Sequence, residues 1–120
     1  MLTRDDLLAL DANKTAPPTR LHVAAWGGDV FLLDPTAQTY DEWSLFCEEN
    51  KGKSVSWRAK AATLLICDES GNRLFTADDV PVLTKWRPAG LVEVWKLAME
   101  LLKVDDKEIE AEAEKSVASP

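Results

Sequence analysis

Cys67-Asp68-Glu69-Ser70-Gly71-Asn72-Arg73-Leu74-Phe75-Thr76-Ala77-Asp78-Asp79-Val80 reads as an element end, a tight polar turn, a short apolar return and a helix start. Asp, Ser, Gly and Asn together favour a turn, because their short side chains bond the local backbone and Gly supplies positive φ. Leu74 and Phe75 are expected to plug back into a core. Thr76 and Asp79, three residues apart, resemble a capping box with Asp in place of Glu. A short helix is expected from Ala77 to about Lys85, with Pro81 tolerable in its first turns. Asp68, Ser70, Asn72 and Asp79 also occupy positions 1, 3, 5 and 12 of a notional calcium loop. That comparison fails on mechanism: position 6 needs Gly for the sharp turn, and here it is the cation Arg73.

Before this stretch, Trp57 to Asp68 is rich in Ala and Leu and is read as helix, although Thr63 and Ile66 would tolerate a strand. After it, Trp86-Arg87-Pro88 separates the short helix from a longer one. There Leu91, Val94, Trp95, Ala98, Leu101 and Leu102 form an apolar stripe at helical spacing, with Glu93, Lys96, Glu100 and Lys103 opposite. Further upstream, Thr36 or Thr39 starts a helix carrying Tyr40, Trp43, Phe46 and Cys47, and Thr39 with Glu42 fits a capping box. Arg20 to Trp26 and Asp29 to Leu33 flank Gly27-Gly28, a pair suited to a two-residue hairpin turn. In that register Ala25 faces Val30 and Val23 faces Leu32, while His22, Ala24, Trp26, Phe31 and Leu33 share the other face. Two strands alone are barely stable, so helices must cover a face, and an edge is open to a third strand or a partner. Thr3 caps a short helix from Arg4 to Leu10, followed by a Pro-containing linker to Thr19.

These elements make an α+β fold, mostly α-helical, with one β-hairpin at about 20–33 packed against four or five helices. Residues 1–104 are expected to form one globular domain. Residues 105–120 hold six acids against two lysines, and their apolar stripe is too thin to anchor a helix; they are read as a mobile acidic segment.

Composition narrows the function. The chain has 120 residues, a net charge of −7 and a pI of about 4.7. That balance disfavours nucleic-acid backbones and anionic membranes, both of which need clustered Lys and Arg. No apolar run approaches the roughly 18 residues of a membrane span, and the acidic start does not resemble a signal peptide. His22 is the only histidine, and with Cys47 and Cys67 it has none of the paired spacings of a zinc site. Both thiols are expected to be reduced and buried. No metal, cofactor or catalytic residue is expected, and the chain is read as a binding protein, not an enzyme.

Trp26-Gly27-Gly28-Asp29-Val30, followed by a Thr-capped helix with Tyr40 and Trp43, resembles the tail assembly chaperones of long flexible-tailed (siphovirus, lambda-like) phages. The Cys67 to Val80 stretch and the charged end after Leu102 add to the likeness, which runs over roughly residues 3 to 115. The resemblance implies a non-enzymatic role in the host bacterial cytoplasm. Such proteins bind the tape measure protein, keep it soluble while tail tube protein polymerises around it, and then leave. It also implies self-association and, in many members, a longer frameshifted form. On this reading Trp26, Phe31, Leu91 and Trp95 supply apolar partner contacts, and Asp105, Glu108 and Glu112 meet basic surfaces. The alternative reading is a small acidic regulator or inhibitor of a host enzyme, acting through protein–protein binding.

Overall fold

A computed structural model describes residues 1–102. The order is α1 (Arg4–Ala9), a 3₁₀ turn (Asp11–Asn13), β1 (Thr19–Val23), a 3₁₀ turn (Ala24–Trp26) and β2 (Gly28–Leu32). Then come α2 (Ala37–Glu49), α3 (Trp57–Leu65), β3 (Ile66–Cys67), a 3₁₀ turn (Ala77–Asp79), α4 (Val80–Thr84) and α5 (Pro88–Leu102). The α+β, mostly helical architecture is as the sequence predicts. The acidic segment with Asp105, Glu108 and Glu112 lies outside the described residues.

α3 is the centre of the molecule. Ser56 caps it by accepting from Ala59 N at 3.2 Å. From Ala59 onward its residues are buried on all sides except at Lys60. Three alanines let neighbouring elements approach closely, and α5 packs against it most extensively. The stripe Leu91, Val94, Trp95, Ala98 and Leu102 is the face that α5 buries. Trp43 joins α2 to this core: its ring lies 5.8 Å from Trp95, 6.3 Å from Trp57 and 6.2 Å from Phe46. Such ring pairs add to the area they bury.

The segment from 57 to 67 is both helix and strand. The helix stops at Leu65, and β3 pairs antiparallel with β2 through Phe31↔Cys67 and Leu32↔Ile66. Leu33 N donates to Leu65 O at 2.8 Å, so the open edge of β2 captures the chain as the helix ends. The order β1-β2-β3 supplies the third strand that the hairpin needed.

The hairpin register differs from the sequence reading. Leu21 pairs with Val30, and Val23 with Gly28. The turn is a 3₁₀ turn closed by Gly27 at φ 66°, not the two glycines alone. The shift is four residues, an even number, so Val23, Val30 and Leu32 keep one face and His22 and Phe31 the other. Trp26 leaves the strand altogether.

Asp68 organises the polar turn. Its Oδ1 accepts from Ser70 N and Asn72 N, each at 2.9 Å, and Gly71 takes φ 90°. The acceptor role that a calcium ion would need is thus taken by backbone amides. Arg73 leaves the turn to donate to Glu42 of α2 at 2.9 Å. Thr76 N donates to Asp79 Oδ2 at 2.8 Å, as the capping-box reading expects. Leu74, expected in the core, is 57% exposed, and only Phe75 packs inward. Cys67 is buried, Cys47 is half-buried, and they form no disulfide.

The amides around Asp68 hold its carboxyl below the usual range, the Asn72 backbone bond contributing most. A depressed folded-state value stabilises above the unfolded value and is lost as pH falls through the folded one. Asp68→Ala is therefore expected to lower the thermal midpoint by a few degrees at pH 7. The gap from wild type should close as the pH falls below about 4, which thermal melts across that range measure.

Candidate functional site

α5 presents two residues one turn apart, Gly90 and Glu93, to the turn that carries Trp26. The Glu93 carboxylate accepts from Ala24 N at 3.2 Å and from Ala25 N at 3.1 Å. It thus satisfies amides at the start of a 3₁₀ turn that has no cap of its own. Gly90 leaves room for the indole. A Cβ built there would overlap Trp26 Nε1 and Cε2. Together they pin the turn and lay Trp26 across the start of α5.

Trp26 meets Trp86 edge-on at 5.7 Å, and Trp86 meets Phe75 at 5.9 Å. Val30, Ile66 and Leu74 complete the wall of an open apolar groove of about 660 Å³, with Arg87 its only charged lining residue among the described residues. Trp26 remains 38% exposed and Trp86 37%. Open tryptophan surface beside an arginine, here Trp26 and Trp86 with Arg87, is the composition of a protein-binding hot spot. A groove of this kind can receive the apolar side of an amphipathic segment.

Of the partner contacts expected from the sequence, Trp26 is the one among the described residues that lies in this groove. Phe31 is half-buried on the other face of the hairpin, opposite Arg20, so the structure separates it from Trp26. Leu91 and Trp95 are 5% and 7% exposed and belong to the core. The face of α5 that they occupy is covered by its own chain, and their assignment as partner contacts is corrected accordingly. Asp105, Glu108 and Glu112 lie outside the described residues.

Trp86 and Gly90 are groove residues that sequence reasoning passed over, and Leu74 and Phe75, expected in the core, line the groove as well. One signal was available: a lone Gly inside a helical pattern costs about 1 kcal/mol against Ala, so it needs a packing reason.

A polar cluster occupies the hairpin's other face. Arg20 Nε donates to Asp29 Oδ2 at 2.6 Å, and His22 Nδ1 lies 2.7 Å from Asp29 Oδ1. These bonds, His22 first and Arg20 second, hold the Asp29 carboxyl low. His22 thus has a cross-strand carboxylate as its partner. Among the described residues no group of three His, Cys, Asp or Glu side chains could hold a metal, and no helix is long and apolar enough to cross a membrane.

Glu93→Ala is expected to cost about 1 kcal/mol, the usual effect of losing a cap. Chemical denaturation measures it, and Glu93→Gln should recover part of the loss because its amide oxygen still accepts.

No family model, curated protein or solved structure matches this chain, so its own geometry must carry the functional reading.

Proposed function

We propose that this chain is a phage or prophage tail assembly chaperone that holds segments of the tape measure protein in the groove between Trp26 and Trp86. The observation that supports the reading is the groove itself, an apolar surface that the folded chain leaves open. A client helix laid there has its leucine-type side chains taken out of water, which removes the surface that would drive its aggregation. The net charge of −7 keeps chaperone copies soluble while they carry that surface. The work is done in the host cytoplasm, and the client is passed on as tail tube protein assembles around it.

Co-expression with the tape measure protein from the same phage or prophage locus tests this. The client is expected to move from the pellet to the soluble fraction with the wild-type chain, and far less with Leu74→Glu, which places a carboxylate in the groove. Equal client solubility with and without the chain would show the proposal to be wrong. If the chain instead co-purified with a host enzyme and inhibited it, the regulator reading would replace it.

A further inference from the structure

The groove between Trp26 and Trp86 stands open in a folded chain. Its two indoles are more than a third exposed and Leu74 is 57% exposed, and open apolar surface of this kind draws unselected partners. Its rim is positive in a chain of net charge −7. Arg87 lines the groove, and Lys85 stands two residues before it. Both are exposed, and neither has an ion pair among the described residues. Glu93, one turn along α5 from Gly90, is engaged by the amides of Ala24 and Ala25. The opposite charge is concentrated at one place in the sequence. Residues 105–120 hold six acids, and even if Lys103, Lys107 and Lys115 each held one of them, three would remain. Ile109, Ala113 and Val117 recur there every fourth residue, the spacing of one apolar edge of a helix.

From these observations, and building on the reading of the groove as the client site, we infer that the acidic segment 105–120 docks reversibly in the Trp26–Trp86 groove of its own chain and covers it until client displaces it. Its acids meet Arg87 and Lys85, and Ile109, Ala113 and Val117 lie on the indoles. Reach permits this. α5 runs from the groove, at Ala89 and Gly90, to Leu102, and Gly90 to Leu102 is about 18 Å of helix. Ile109 lies seven residues past Leu102 and Val117 fifteen. Extended, those stretches span up to about 23 Å and about 50 Å. The tether makes a weak contact sufficient. A short connection holds a segment at an effective concentration on the order of 1 mM. A contact with a Kd of about 1 mM is then about half formed within one chain and negligible between dilute copies. A client with several leucine-type side chains buries more apolar area than one Ile, one Ala and one Val, so it displaces the segment.

Charge reversal in the full chain tests this, read by the five tryptophan indole N–H signals in proton–nitrogen NMR spectra and by binding of the neutral apolar dye Nile red. In Glu108→Lys/Glu112→Lys the Trp26 and Trp86 signals are expected to move, while those of the core residues Trp43, Trp57 and Trp95 stay and report an intact fold. The movement should be the same after tenfold dilution. Nile red should bind at least roughly twofold more tightly, because a groove about half covered becomes free. Lys85→Glu/Arg87→Glu is expected to raise dye binding alike. Combining the two pairs restores attraction at the original net charge of −7, and dye binding should return to the wild-type value. Trp26 and Trp86 signals that do not respond to the segment's charge would overturn the inference. So would a combination that fails to restore cover, or a movement that vanishes on dilution, which would place the contact between copies. These readouts need no client. A covered groove in a chain that solubilises no client would remove the chaperone proposal alone, and client solubilised by a chain whose groove is never covered would remove this inference alone.

Discussion

Trp43→Ala is expected to destabilise the fold by about 3–5 kcal/mol, the range for removing a large aromatic side chain from a packed core. For a domain of this size that lowers the thermal midpoint by more than about 10 °C. The size follows from position. Trp43 is 3% exposed and is the one ring in contact with Trp57, Trp95 and Phe46 together. Its loss opens a cavity that α3 and α5 cannot fill without giving up their own contact. Tyr40 and Leu45, on the same helix, are 48% and 59% exposed, and alanine there should change stability by no more than about 0.5 kcal/mol. Denaturant melts of the three variants measure the contrast. A Trp43→Ala variant as stable as Leu45→Ala would mean that α2 does not pack as described.

Gly90→Ala is expected to do the opposite, sparing stability and removing binding. Alanine improves helix propensity by about 1 kcal/mol, but its methyl group takes the space of the Trp26 indole. The indole is the free end of a side chain already 38% exposed, so it swings into solvent while the backbone stays. The thermal midpoint should move by less than about 5 °C. Tryptophan emission should shift to the red, and client solubilisation should fall at least roughly tenfold, the cost of losing one hot-spot aromatic. A variant with red-shifted emission and full client binding would show that the groove is not the working surface.

Much of the fold was legible because it rests on local rules. Thr3, Thr76 and the turn at Asp68 to Asn72 behave as their side chains dictate, and the α5 stripe is buried as its spacing requires. The register of the hairpin was not legible, because Gly27-Gly28 satisfies several turn geometries and the Glu93 carboxylate, 68 and 69 residues away, selects among them. The strand at Ile66–Cys67 was not legible either, since its two residues extend only because β2 offers an edge. The groove was hardest of all. Its walls come from the hairpin turn, the return after the polar turn and the start of α5, and no spacing rule joins Trp26 to Trp86 or Gly90. Leu91 and Trp95 went the other way: a strong apolar stripe marks burial, and the chain itself provides the cover.

α3 passes into β3 with no residue between them. The helix cannot settle against α5 without delivering Ile66 and Cys67 to the sheet, and the sheet cannot gain its last strand until the helix has settled. The two events are fused into one here, so the two layers should form and melt together in a single cooperative transition, with no half-built state in which one exists without the other.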